Sequence, residues 1–230
     1  MMADLMTASP RIPKLQPGDR LTRDEFERRY NAMPELKKAE LIEGVVYMAS
    51  KVRCRDHGQP EHVLSSWLGF YEFLTPGLLG AHNSTLRLDL DNELQPDLML
   101  WLPEAAGGRA RVDADGFLAG APELAIEVTA SSVSYDLHQK LDVYRRNGVR
   151  EYLVHRVDDG QVDWFMLERG EYVRMAPDPD GVLKSRVFPG LWLEPEALLR
   201  RDLAALRSVV ERGCAIPEHR AFVQQLGAAP

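Results

Sequence analysis

Apolar residues return at two periods along this chain, and the periods divide it into helices and strands. From Gln59 to Leu74 they recur every three or four positions, at Val63, Leu64, Trp67, Leu68, Tyr71 and Leu74. That spacing predicts a helix with one buried face, ended by Thr75-Pro76-Gly77. A shorter stripe of Phe26, Tyr30 and Met33 predicts a helix over 23–33, opened by a Thr22/Glu25 capping box and stopped by Pro34. Between the two, Glu40 to Ser50 reads as two short strands meeting near Glu43-Gly44. Thr85 to Leu90 alternates as a half-buried strand does, Asp91-Asn92-Glu93 is its turn, and Asp97 to Leu102 is the next strand.

The densest patterning lies at 123–157. Glu123 to Thr129 is a strand, and Ser131, Ser132 and Ser134 supply candidate caps for a helix over 135–147. That helix carries Leu137, Leu141 and Tyr144 on one stripe and ends at Asn147-Gly148, before a second strand from Glu151 to Val157. Strand, helix and strand in this order predict a right-handed crossover, with the helix folded back over its strand. Further strands are expected at 162–167, 172–175 and 182–188, and a last helix at 195–210. Residues 1–20, with Pro10, Pro13, Pro17 and Gly18, read as a flexible arm, 103–121 as an exposed loop and 211–230 as a peripheral tail. The expectation is one domain over 21–210, of mixed α/β class, with a central sheet holding both the hairpins and the crossover.

Composition narrows the class without naming a function. A chain of 230 residues, 45% hydrophobic and 27% charged, can bury a core without disulfide or zinc staples. Its two cysteines, Cys54 and Cys214, have no metal-like spacing. No apolar run approaches about 18 residues and the N-terminus lacks a signal peptide's apolar core, so a cytoplasmic protein without membrane contact is expected. The net charge of −7 argues against a broadly basic surface that coats nucleic acid. The local cluster Lys140, Arg145, Arg146 and Arg150 is the exception.

Three residues could share chemistry. Asp97 follows Pro96 at the start of one strand, and Glu127 interrupts an otherwise apolar strand, where a charge is costly unless paired or liganded. Lys140 borders the apolar stripe of the next helix and can lean toward Glu127. A divalent ion held by carboxylates does much of what phosphodiester hydrolysis requires, and a lysine beside them can stabilise or orient the nucleophile. Plainer partners exist: an arginine would satisfy Glu127, and Asp136 lies four residues before Lys140. His57 and His62 invite a zinc reading, but five helical residues turn roughly 140°, so they share no face. No phosphate-cradling glycine loop, nucleophile-elbow serine or dinucleotide fingerprint is present.

In order, Pro96-Asp97, Glu127-Val128-Thr129, Asp136, Lys140, Tyr144 and Gly148-Val149-Arg150-Glu151-Tyr152 resemble the Uma-type restriction endonucleases, a branch of the PD-(D/E)xK nuclease superfamily. The likeness extends to Glu40-Leu41-Ile42-Glu43-Gly44 with Met48, to Glu61-His62 and to Phe188-Pro189-Gly190-Leu191, covering roughly residues 20 to 200. One departure from the superfamily pattern is Thr129, which stands where a lysine two residues after the glutamate would fall. Lys140 matches the migrated lysine of the Uma-type branch.

The resemblance implies a restriction-endonuclease-like core with flanking helices and added β-hairpins. It implies that Asp97 and Glu127 bind Mg²⁺, with Mn²⁺ as a substitute, and that Lys140 assists the nucleophile. Glu43 would be a further acidic ligand, with His62 and Tyr144 lining the site. The implied substrate is double-stranded DNA, and a homodimer would cut both strands. The rival expectation is a noncatalytic module on the same fold that binds nucleic acid or protein.

Overall fold

The computed structural model describes residues 11–48, 52–130 and 138–227. Residues 1–10 of the expected N-terminal arm, the serines at 131, 132 and 134, Asp136 and Leu137 lie outside them. Helix α1 (Arg23–Asn31) packs Phe26 inward and leads to the hairpin of β1 (Ala39–Ile42) and β2 (Val45–Met48). The capping box does not form. Thr22 makes no side-chain cap, and the Glu25 carboxylate, instead of reaching back to the Thr22 amide, pairs with Arg28 and Arg29 at 2.6–2.8 Å.

A π-helical turn, Cys54–Gly58, runs directly into α2 (Gln59–Leu74), which has the predicted bounds and buries the predicted face. Trp67 and Tyr71 are fully buried. Their polar ends are satisfied by the carbonyls of Trp192 at 2.8 Å and Pro189 at 2.9 Å, so these two large side chains also fix the distant chain around Phe188-Pro189-Gly190.

Then follow β3 (Leu79–His82), β4 (Leu86–Asp89), β5 (Asn92–Leu94) and β6 (Leu98–Trp101). Asn92 and Glu93, read as turn residues, are strand residues. Asn92 is buried because it donates to the Asp89 carboxylate and accepts from the Glu43 amide. The stretch 103–121 is likewise not a free loop. It contains β7 (Arg111–Val112) and β8 (Leu118–Ala119), which pair with each other, and β8 runs parallel to β4. Two-residue strands are too short to show alternation.

β9 (Leu124–Thr129), α3 (Lys140–Asn147) and β10 (Glu151–Arg156) form the expected crossover, with β9 and β10 parallel and adjacent. β11 (Gln161–Glu168) and β12 (Glu171–Arg174) extend that sheet. Only Leu183–Lys184 of the expected strand 182–188 forms one, β13, paired with β14 (Trp192–Leu193).

The expected helix 195–210 is two helices, α4 (Pro195–Leu199) and α5 (Leu203–Cys214). Arg201 at φ 58° breaks the chain, and the Asp202 side chain caps α5 by accepting from the Ala205 amide. α5 runs past residue 210, and α6 (Pro217–Gly227) follows with Leu226 in the main core, so the C-terminal segment is packed rather than peripheral. The approach of α5 to the Phe188-Pro189-Gly190-Leu191 turn requires glycine twice. A β-carbon on Gly190, at φ 89°, would sit 2.9 Å from the Gly213 carbonyl oxygen, and one on Gly213 would meet the Gly190 carbonyl.

The strands make two six-stranded sheets, not one. Their orders are β2-β1-β5-β4-β8-β7 and β12-β11-β10-β9-β6-β3. One face of the second sheet, including Leu124, Ile126 and Leu153, packs with α2, α4 and α5. The other, including Ala125, Tyr152 and Val154, packs with α3 and with Ile42, Leu86, Leu94 and Leu118 of the first sheet. Glu127 alternates onto this second face, between the two sheets.

Candidate active site

β6 and β9 are antiparallel with Leu98 opposite Ile126, so continuing that register sets Asp97 opposite Glu127. Directly opposed residues project to the same face. Both carboxylates are buried, Asp97 at 1% and Glu127 at 3% exposure. Asp97 Oδ2 accepts from the Val128 amide at 2.7 Å, which locks its side chain across the strand pair. Its other oxygen, Oδ1, is buried without a hydrogen-bond partner among the described residues.

Lys140 opens α3 and reaches Glu127 Oε1 at 2.9 Å, as its place beside the apolar stripe suggested. The Tyr144 hydroxyl, one turn on, donates to the same oxygen at 3.1 Å. Lys140 Nζ also lies 3.1 Å from Glu40 Oε1, and that oxygen accepts from the Gln95 amide at 2.8 Å. One buried ammonium therefore joins carboxylates from the two sheets.

Beside Asp97 stand groups from the start of α2. His57 Nε2 is 3.3 Å from Asp97 Oδ1 and 3.6 Å from Glu61 Oε2. Asn83, at φ 50°, donates from its side chain to Glu61 Oε1 at 2.5 Å and from its backbone to the Asp97 carbonyl at 3.0 Å. Lys38, hydrogen-bonded to the Gln95 carbonyl, lies 3.9 Å from Asp97 Oδ1. Burial opposes ionisation of Asp97, but the His57 imidazole, Lys38 and the Val128 amide outweigh it and hold the carboxyl below its usual range. Asp97 in turn raises the pKa of His57, against the effect of burial.

Glu43 is not brought to this cluster. It sits in the β1–β2 turn at φ 52°, half exposed, with Arg146 at 2.8 Å. Glu40 is the acidic residue of this hairpin that meets Lys140, and it shares a face of β1 with Ile42, which packs in the α3 cluster. His62 is exposed and lines nothing here; its carbonyl accepts from Ser66. The histidine beside Asp97 is His57, which precedes the regular helix, in the π-helical turn, where a helical-wheel argument does not reach. The basic cluster disperses too, with Arg145 turned to Gly170 and Glu171.

A sequence profile of the Uma2 family, described as "Putative restriction endonuclease", matches residues 23–196. This chain belongs to the Uma2 family. Among curated proteins, no sequence matches it. Among solved structures, it is similar to the crystal structure of a "putative nuclease belonging to DUF820" from Anabaena variabilis ATCC 29413, with 15% identity and a TM-score of 0.60. The similarity spans 76% of this chain and 97% of that one, and at this identity it bears on the fold alone.

The Uma2 chain's donor set fits a divalent ion. His57, Glu61 and Asp97 each offer a ligand atom, all within 4.8 Å of one another; Asp97 Oδ1 faces His57 and Lys38 as ion-pair partners but makes no regular hydrogen bond. Among the described residues no helix is long and apolar enough to cross a membrane.

A second charge cluster lies between α1 and the first sheet and has a different consequence. Arg87 Nε is 3.0 Å from Glu27 and 3.6 Å from Glu93, and its guanidinium also holds Asp113 and Asp115 at 2.7 Å. Burial, then the neighbouring Glu27, push Glu93 up to about 8, with Arg87 and Arg23 pulling the other way. The folded chain thus holds a proton there that the unfolded chain releases near 4.5, and stability falls as pH rises through that window. Glu93→Gln should therefore gain stability relative to wild type between pH 5 and 8.5, by roughly 1–3 kcal/mol. Urea unfolding at the two pH values measures it; an unchanged difference would show that Glu93 ionises normally.

Proposed function

We propose that this protein is a divalent-metal-dependent endonuclease that hydrolyses DNA, with Asp97, Glu127 and Lys140 at its centre. The observation that carries this reading is a pair of buried carboxylates on adjacent strands, one with an unsatisfied oxygen and the other clamped by a buried lysine. A bound divalent ion supplies Lewis-acid neutralisation of the phosphate and acidifies water. Asp97 and Glu127 would hold it, with His57 and Glu61 completing the donors on the α2 side.

The chain's own groups do the rest. The Val128 amide fixes the Asp97 carboxylate, and Tyr144 fixes Glu127. Lys140 keeps a proton-bearing ammonium at the junction of Glu127 and Glu40, where it can orient the attacking water and balance charge developing on the phosphate. Exposed Arg53 and Arg55 precede His57 in the chain, and Arg201 donates to the Arg55 carbonyl. These cations offer phosphate contacts on a molecule whose net charge is negative. Cutting both strands would engage two copies of the site, in a homodimer.

In a noncatalytic module the buried Asp97 Oδ1, which meets His57 and Lys38 but makes no regular hydrogen bond, would cost stability without return. The deciding assay is cleavage of supercoiled plasmid by purified protein in Mg²⁺ or Mn²⁺, abolished by EDTA. Intact plasmid in both metals, under conditions where the protein is folded, would sink the reading.

A further inference from the structure

The cluster beside Asp97 is not built as an all-oxygen site. The π-helical turn Cys54–Gly58 widens the chain just before α2 and sets His57 one turn from Glu61, so that both point at the strand end carrying Asp97. The separations from His57 Nε2, 3.3 Å to Asp97 Oδ1 and 3.6 Å to Glu61 Oε2, match the edges of a coordination polyhedron. Donors at roughly 2.1 Å from one ion stand about 3–3.5 Å apart. The supporting shell is also present. Asn83, in a left-handed backbone conformation, holds Glu61 by its side chain and the Asp97 carbonyl by its amide, orienting two of the three donors.

We propose that His57 is a direct ligand of the ion, and that its imidazole makes the centre select a manganese-class transition ion over Mg²⁺. The proposal rests on the metal-dependent reading of the same site and adds the identity of the ion and of a ligand. Mg²⁺ prefers oxygen donors and sheds its waters reluctantly, whereas imidazole nitrogen suits the first-row transition ions. Asp97 Oδ1 already faces this position, is buried and has no hydrogen-bond partner. Lys38, 3.9 Å away, is the opposing charge, and its own bond to the Gln95 carbonyl lets it remain aside when an ion enters.

The test is binding, not turnover. Mn²⁺ titration of the full chain, followed by EPR, should show Mn²⁺ bound at least about tenfold more tightly than competing Mg²⁺. Pulsed EPR of the bound Mn²⁺ should show coupling to an imidazole nitrogen. His57→Gln should remove that coupling and weaken Mn²⁺ by about tenfold or more, while Mg²⁺ affinity moves by less than about threefold. Absence of nitrogen coupling in the wild type, or unchanged Mn²⁺ affinity in His57→Gln, overturns the proposal. Should His57→Gln fail to fold, Glu61→Gln must weaken Mn²⁺ while preserving the coupling; intact Mn²⁺ affinity there overturns it equally. The nuclease reading fails separately: nitrogen-coupled Mn²⁺ with uncut plasmid keeps the ion centre, and plasmid cut in Mg²⁺ without nitrogen coupling keeps only the nuclease.

Discussion

Exchanging Lys140 for methionine is expected to lower the thermal midpoint by about 10 °C in EDTA and to silence DNA cleavage. Lys140 is 5% exposed and lies 2.9 Å from Glu127 and 3.1 Å from Glu40, both of them largely buried. Methionine fills a similar volume but removes the ammonium that both carboxylates face. Breaking a buried ion pair from one side costs roughly 3–5 kcal/mol, because the abandoned charge cannot return to water. For a domain of this size each kcal/mol moves the midpoint by about 2–4 °C. The double change Lys140→Met with Glu40→Gln removes one orphaned charge and should recover part of the loss. Differential scanning calorimetry of the single and double variants measures both. A midpoint within about 2 °C of wild type would mean that the lysine does not bind the two sheets together.

That prediction depends on a contact only half legible in the sequence. Lys140 could be aimed at Glu127 because a right-handed crossover leaves few ways to lay a helix on its strand, and the 3.6-residue period says which side faces down. Glu40 was not legible in the same way. Glu40 lies in β1 and Glu43 just beyond it, and choosing between them requires knowing that the first sheet lies over α3. Nothing in local periodicity announces that sheet. All six of its strands are two to four residues long, and β5 buries Asn92, held by Glu43 and Asp89, and Glu93, which faces Arg87 with its Oε2 lacking a hydrogen bond among the described residues.

The same limit explains His57. It comes before the regular helix and meets Asp97 across forty residues of chain, a contact fixed by the tertiary packing of α2 against the second sheet. By contrast, α2 itself was fully readable, since sixteen residues give four turns of consistent pattern and a firm Thr-Pro-Gly stop. Long, amphipathic elements declare themselves, while sites built where two sheets meet depend on contacts that span the chain.

Asp97→Asn should separate fold from chemistry more cleanly than any other change. The asparagine carbonyl oxygen can keep the 2.7 Å bond from the Val128 amide, so the strand pair retains its lock. Its amide then occupies the position of Oδ1, and the two groups that face it, His57 and Lys38, are both partly exposed, so neither is left as a fully buried cation. A stability change within about 1.5 kcal/mol is expected, the range of one ordinary hydrogen bond. Function should respond differently. A neutral amide that presents N–H groups where an anionic oxygen stood removes a ligand and adds a repulsive contact to any cation. Plasmid cleavage should fall by at least about 10³-fold, or roughly 4 kcal/mol of transition-state stabilisation. The rise in thermal midpoint on adding Mn²⁺, which measures binding to the folded state alone, should vanish with it. If Asp97→Asn cuts DNA within about tenfold of wild type, the acidic centre is not where the reaction occurs. If cleavage is lost while the Mn²⁺ shift persists, Asp97 acts on the substrate and the ion is held by Glu127, Glu61 and His57 without it.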